Sequence, residues 1–265
     1  MHTLHAQPHW RRVAVISDLH LDVSQPHTAR AWVQALQAST FDALFVLGDF
    51  FELWVGDDSL QPAQTLSAPD RAATDFWQQQ VQHLAQWGAR CPVYFMVGNR
   101  DFLAQSQLMA HAGMHALPDP SVLCWGQQRI LLSHGDSWCT TDTDYQRFKT
   151  EVRSPAWQQR FLQQPLTTRL QQGRAMRQAS QAHQSARAMP ADVDVAAVDQ
   201  AARAARATLV VHGHTHRPSH GPLPSGCTRV VLTDWDAHAT PPRGHVLSLT
   251  PQGWQREPCP SPVAA

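Results

Sequence analysis

The apolar run Ala43-Leu44-Phe45-Val46-Leu47 stops abruptly at Gly48 and a carboxylate, Asp49. An unbroken apolar run of this length suits a strand covered on both faces, which restricts the chain to a sheet buried between other layers. In such folds chemistry collects just beyond the carboxyl ends of the strands, so Asp49 is the residue to watch. The same punctuation recurs along the chain. Arg12 to Ser17 ends in Asp18-Leu-His20, Pro92 to Val97 in Gly98-Asn99-Arg100-Asp101, Arg129 to Leu132 in Ser133-His134-Gly-Asp136, and Thr208 to Val211 in His212-Gly-His214-Thr-His216.

Between these runs the periodicity is helical. Trp32, Val33 and Leu36 are spaced for one helix face, and Phe76, Trp77, Val81, Leu84 and Trp87 for another that stops at Gly88, so the chain reads as repeated strand–helix–strand units. Ser121 to Trp125 and Arg129 to Leu132 read as strands joined by the Gly126 turn. Asp192 to Ala207 reads as a helix, Thr228 to Thr233 and His245 to Leu249 as closing strands, and 251–265 as a flexible tail. A single domain over 11–250 with a helical cap insertion at about 140–200 is expected. Tyr145 to Pro190 carries eight basic residues (Arg147, Lys149, Arg153, Arg160, Arg169, Arg174, Arg177 and Arg187) against one acid, Glu151. Such a run ordinarily means a solvated face.

Elsewhere charge is balanced, with 21 Lys and Arg against 21 Asp and Glu. That argues against a nucleic acid partner held by bulk charge. The five cysteines are scattered without a C-x-x-C pair, so neither a disulfide framework nor a thiolate zinc site is expected. The N-terminus lacks the apolar core of a signal peptide, and no run approaches the roughly 18 apolar residues of a membrane span. A cytoplasmic protein is expected.

The strand-end donors are Asp18, His20, Asp49, Asn99, His134, His214 and His216. Carboxylate, amide and imidazole without thiolate suit a borderline-to-hard divalent ion. In Asp18-x-His20 and His214-x-His216 the side chains project to the same side of an extended backbone. Seven donors exceed what one ion with open positions needs, but they suit two ions about 3.5–4 Å apart sharing a carboxylate. Asp49, on a central strand, is the natural bridge.

This ordered series resembles the calcineurin-like metallophosphoesterase superfamily over residues 12 to about 235. The resemblance implies a four-layer αββα sandwich around a dinuclear centre. One ion would be held by Asp18, His20, Asp49 and His216, the other by Asp49, Asn99, His134 and His214, with His212 outside the set. The longer strings Gly48-Asp-Phe-Phe-Glu-Leu-Trp-Val-Gly-Asp-Asp58, Gly98-Asn-Arg-Asp-Phe102 and His134-Gly-Asp-Ser-Trp-Cys-Thr-Thr-Asp-Thr-Asp-Tyr145 are similar to those of the nucleotide-sugar-lipid pyrophosphohydrolases of lipid A biosynthesis. That similarity implies cleavage of UDP-2,3-diacylglucosamine to UMP and 2,3-diacylglucosamine 1-phosphate by a water activated by two divalent ions, typically Mn²⁺, on the cytoplasmic face of the inner membrane.

It further implies catalytic roles for Asp49, Arg100 and His214, and substrate contacts at Asn99, Arg100, Asp142, Ser180, Gln184, Arg187 and His214. Gln184 and Arg187 stand where that group usually has Asn and Lys. Arg100 stands where most of the superfamily has a histidine; an arginine cannot give up its proton at working pH and so acts as a charge clamp. The alternatives are another phosphoesterase of the same fold and a non-catalytic scaffold.

Overall fold

The alternation of side chains along the central strands explains why their sequences are apolar throughout. In a computed structural model describing residues 1–61, 66–185 and 192–258, β1 is His2–His5, β2 Val13–Ile16, α1 Pro26–Gln37, β3 Ala43–Leu47, α2 Ala68–Gly88 and β4 Val93–Met96. There follow α3 Ser106–Ala112, β5 Met114–Ala116, β6 Ser121–Trp125, β7 Gln128–Ser133, α4 Thr143–Val152, α5 Pro155–Leu162 and α6 Leu166–Ser185. The chain closes with α7 Val195–Ala205, β8 Leu209–His212, β9 Ser219–Pro222, β10 Thr228–Val231, β11 His245–Thr250 and β12 Gly253–Pro258.

Two sheets form, in the orders β1-β6-β7-β8-β10-β9 and β12-β11-β2-β3-β4-β5. Val13, Val15, Phe45 and Leu47 pack inward against Leu123, Ile130, Leu132, Val211 and Val230 of the facing sheet. Their neighbours Ala14, Ile16, Leu44 and Val46 face the other way, onto Trp32, Leu36, Trp77, Val81 and Leu84 of α1 and α2. On the far side Val122, Leu131 and Val210 are covered by Val198, Ala202 and Ala205 of α7. The layers are therefore helix, sheet, sheet, helix, as the motif series implies.

β1, α3, β5, β9 and β12 carry no clear sequence signal, since each is short and, apart from α3, sits at or beside a sheet edge. The tail reading of 251–265 is corrected over its first half. Gly253–Pro258 pairs antiparallel with β11, and Arg256 reaches across to donate to the carbonyls of Ser219 (2.6 Å) and Val231 (2.9 Å). Isolated hydropathy does not reveal such a strand, because its contribution is a row of backbone bonds and one arginine.

The cap begins where Asp142 accepts the Tyr145 N–H and Ser154 the Trp157 N–H, ordinary side-chain caps for α4 and α5. Arg147 and Arg160 of the cap's charge run are exposed, but five of its other basic residues turn to carboxylates. Lys149 reaches Asp136 at 2.8 Å and Arg153 reaches it at 3.5 Å. Arg174 reaches Asp70 at 2.5 Å and Arg177 pairs with Glu52. Arg169, only 1% exposed, donates to the Val55 carbonyl at 2.5 Å and to Asp58 at 2.9 Å. These five are pins that fasten the cap to carboxylates of the core. Their worth lies in the penalty for breaking them, since a buried charge left alone is costly.

His245, at the start of β11, is 8% exposed and its Nε2 has no hydrogen-bond partner among the described residues. Burial, reinforced by Arg256, pushes its pKa down from 6.5 to about 4. The folded chain therefore holds it neutral while the unfolded chain takes up a proton below about 6.5. Its contribution to stability is complete above that pH and is lost progressively as pH falls toward 4. Replacing His245 with Leu should shrink the stability difference between pH 7.5 and pH 5 by on the order of 1–2 kcal/mol, measured by urea unfolding of both proteins at each pH.

Candidate metal centre

β2, β3 and β4 run parallel in one sheet, and β7 and β8 run parallel in the other. Their carboxyl ends meet at one rim of the sandwich. Asp18, Asp49 and Asn99 follow the first three strands; His134, His214 and His216 follow the other two. The backbone there is unusual. Asp18, His20, Asp49, His214 and His216 all have φ between 49° and 68°, and among the described residues only Arg206 is another non-glycine with positive φ. Each such residue costs on the order of 1–3 kcal/mol and persists only where its surroundings over-determine it.

Several contacts supply that determination. Asp101, fully buried, accepts the N–H groups of Gly98 (2.7 Å), Phe50 (2.8 Å) and Asp49 (3.3 Å) on its two oxygens. Burial, with the Asp49 charge adding to it, raises the Asp101 carboxyl to about 6. A Cβ on Gly98 would stand 2.1 Å from Asp49 Oδ1, and one on Gly213 2.2 Å from Asp18 Oδ2. Only glycine lets these turns approach the carboxylates. Asp18 accepts from Ser17 Oγ (2.6 Å) and from the His214 N–H (2.9 Å).

The donors separate into two groups, Asp18 with His20 and His216, and Asp49 with His134 and His214. Asp49 straddles them: Oδ2 lies 3.7 Å from His20 Nε2 and Oδ1 3.7 Å from His134 Nε2. In the first group the Nε2 atoms of His20 and His216 face each other at 3.0 Å, and His216 Nε2 lies 3.4 Å from Asp18 Oδ1. In the second, Asn99 Oδ1 is approached at 2.9 Å by both His134 Nε2 and His214 Nδ1.

The His134 contact tests what belongs there. His134 Nδ1 lies 2.9 Å from the Leu47 carbonyl, so its proton is on Nδ1 and the neutral ring presents a lone pair to the Asn99 oxygen. In that neutral form two electron pairs would face each other. A cation between them, or a second proton on the ring, relieves that arrangement. Burial alone would lower His134, yet Asp49, Asp136 and Asp18 raise it to about 9. His20 is likewise raised to about 9, against burial, chiefly by Glu52. His214 instead falls to about 4 through burial and the neighbouring His134. The carboxylate, amide and imidazole set, with lone pairs convergent, fits divalent ions. His212 is fully buried, and its Nδ1 lies 2.9 Å from the Gly213 carbonyl, outside both groups.

A cavity of about 290 Å³ opens from this rim beneath the cap. Asn99 and Arg100 lie at its wall together with Leu53, Trp54, Phe102, Phe148, Phe161 and Met176. The Arg100 N–H donates to Asp49 Oδ1 at 2.8 Å, so Arg100 stands where the metal groups meet the apolar space. Ser180 lines the cavity. Asp142 caps α4 and is not among the lining residues. Gln184 is on α6, with its side chain outside the described part, and Arg187 lies outside the described residues.

The residues that sequence reading did not single out are Glu52, Asp101, Asp136 and Tyr145. All four sit inside the quoted motif strings, but their roles depend on partners remote in sequence. Tyr145 lies with its ring over His214, centroids 6.0 Å apart, and its hydroxyl donates to Asp136 at 2.5 Å.

The fold and the paired donor groups define a metal-dependent phosphoesterase, and the chain belongs to the calcineurin-like phosphoesterases, whose family model matches residues 11–218. Members of that family work with divalent metal ions, and the two donor groups could each hold one. More particularly, it is similar to curated proteins named UDP-2,3-diacylglucosamine hydrolase. That of Bordetella pertussis is 42% identical over 247 residues, covering 90% of this chain and 92% of the relative. That of Stenotrophomonas maltophilia is 39% identical over 253 residues, covering 90% and 95%, and that of Xanthomonas campestris pv. campestris 41% over 233 residues, covering 83% and 90%.

Substituting Asp101 with Ala leaves three buried N–H groups without their acceptor. The expected loss of stability is about 3 kcal/mol, read by urea denaturation, with a matching loss of divalent-ion binding because the Asp49 turn is no longer held. Unchanged values of both would refute the support assigned to Asp101.

Proposed function

We propose that this chain hydrolyses the pyrophosphate bond of UDP-2,3-diacylglucosamine, giving UMP and 2,3-diacylglucosamine 1-phosphate in lipid A biosynthesis. It does so with Mn²⁺ as the preferred ion, while associated peripherally with the cytoplasmic face of the inner membrane. The observation that carries the reading is the apolar cavity that starts at Asn99 and Arg100 and runs beneath the cap. A phosphoesterase acting on small phosphate esters has no use for such a space, whereas an acylated sugar nucleotide needs one beside its phosphates. The relatives named for that substrate match nearly the whole chain.

Asp18, His20 and His216 would hold one ion, Asn99, His134 and His214 the other, with Asp49 shared. Bound there, divalent ions supply charge neutralisation at the phosphoryl group and lower the pKa of water. The chain's own residues do the rest. Arg100 keeps its proton at all working pH values, so it neutralises phosphate charge and is no acid. The bond being broken expels a phosphate monoester whose second pKa is about 6, which leaves without being protonated. His214 stays neutral and faces the phosphates under the Tyr145 ring.

Contacts to sugar and phosphates are assigned to Ser180, which lines the cavity, and to Asp142, Gln184 and Arg187. The acyl chains enter between Leu53, Phe102, Phe148 and Met176. No helix of the described residues is long and apolar enough to cross a membrane, so contact with the bilayer comes through the cap and the lipid substrate itself.

Purified protein should release UMP from UDP-2,3-diacylglucosamine with added Mn²⁺, stop when the metal is chelated, and leave an aryl phosphate almost untouched. Asp49→Ala and Arg100→Ala should each lower kcat/KM by about 10²–10³-fold, followed by quantifying UMP. Turnover of the aryl phosphate without UMP release would favour a general phosphoesterase, and inactivity on both a scaffold.

A further inference from the structure

We infer that Glu52 is a positioning residue held jointly by the metal-facing His20 and the cap helix α6, so that ion binding and seating of the cap reinforce each other. The inference rests on the metal centre described above.

Glu52 is 7% exposed and lies on the loop after β3, three residues beyond Asp49. Its two oxygens are divided. Oε2 lies 2.5 Å from His20 Nδ1, and Oε1 accepts from Arg177 Nε on α6. The first contact occupies the Nδ1 edge of the His20 ring. Its Nε2 is thereby turned toward His216 (3.0 Å) and the shared Asp49 (3.7 Å). The approach is an ion pair and is not aligned as a hydrogen bond; a carboxylate this close favours a proton on Nδ1 and restrains the ring of a ligating histidine.

The second contact makes the arrangement unusual, because the same carboxylate is a docking point for the cap. α6 carries three pins. Arg169 and Arg174 grip Asp58 and Asp70, neither of which touches a metal-facing side chain in the contacts described. Arg177 alone grips a carboxylate that also holds one. When α6 is seated, Arg177 fixes the Glu52 rotamer and with it the His20 ring. When α6 lifts, Glu52 is free to turn and His20 loses its orientation. Linkage then works in both directions: an ion that requires His20 oriented favours the seated cap. Gly173, Met176, Arg177 and Ser180 of α6 line the apolar cavity, so the cavity is best formed when the ions are in place.

The test uses the full chain without substrate. Mn²⁺ binding is measured by isothermal titration calorimetry for the wild type, Arg177→Ala, Arg177→Lys and Arg174→Ala, with circular dichroism confirming that each is folded. Glu52→Gln serves as the direct variant. Arg177→Ala and Glu52→Gln should bind Mn²⁺ about 10-fold more weakly, Arg177→Lys should recover part of that loss, and Arg174→Ala should match the wild type. In parallel, Mn²⁺ should slow amide hydrogen exchange across 170–182 in the wild type and lose that effect in Arg177→Ala. Equal Mn²⁺ affinity in the wild type and Arg177→Ala, with wild-type binding intact, would overturn the coupling while leaving the metal centre standing. Equal weakening in Arg174→Ala would overturn it too, by showing that any loosened cap disturbs the ions. No Mn²⁺ binding by the wild type would overturn both readings.

Discussion

The structure turns on donor groups that the fold crowds together at one rim. His134 Nε2 stands 2.9 Å from Asn99 Oδ1 and His20 Nε2 3.0 Å from His216 Nε2, with Asp49 and Glu52 close enough to pull both His134 and His20 toward the protonated form. These contacts exist because strand ends from two sheets meet at one rim and left-handed backbone turns aim the side chains inward. The strain is offset by groups that do no chemistry themselves: Asp101 collecting backbone amides, glycines where a Cβ would strike a carboxylate, Ser17 and the His214 amide on Asp18.

Around this rim the chain's charges are used mostly against one another. The cap looks cationic by composition, yet Lys149, Arg153, Arg169, Arg174 and Arg177 are engaged by Asp136, Asp58, Asp70 and Glu52. Specificity therefore does not rest on a diffuse positive surface. Under the proposed function it would rest on Arg100, whose backbone N–H donates to Asp49, and on the apolar cavity that begins beside it. The metal groups are what a phosphoesterase needs in general; in the proposed function the cap and Arg100 would confine the chemistry to one kind of substrate.

Much of this was legible in the sequence, and the reasons can be given residue by residue. The apolar runs ending at Asp18, Asp49, Asn99 and His134 locate strands because burial on both faces excludes polar residues from them. The D-x-H spacing does bring Asp18 and His20 into one group, but the extended backbone expected for the D-x-H and H-x-H pairs is replaced by left-handed turns, and His214 and His216 part to different groups. Glu52, Asp101 and Asp136 lay inside the same strings without a visible role, since a carboxylate's task depends on what folds against it: Arg177 is 125 residues from Glu52. Asp101 did have a signal, its place in a Gly-Asn-Arg-Asp turn, where a short acid commonly gathers neighbouring amides. β12 and β1 had none, because edge strands of alternating or polar residues resemble loops.

Asp49 shows where the division falls. The chain by itself determined that a carboxylate would stand at the end of a buried strand, in company with four other such ends, because hydrophobic burial and chain periodicity are properties of short segments. Only the tertiary structure decided that its two oxygens would point to different histidines, that His134 would give its Nδ1 proton to the Leu47 carbonyl, and that Arg153, Arg169, Arg174 and Arg177 would turn to carboxylates of the core. Those outcomes depend on distances between segments remote in sequence, and such distances are set by how two sheets and a cap pack together.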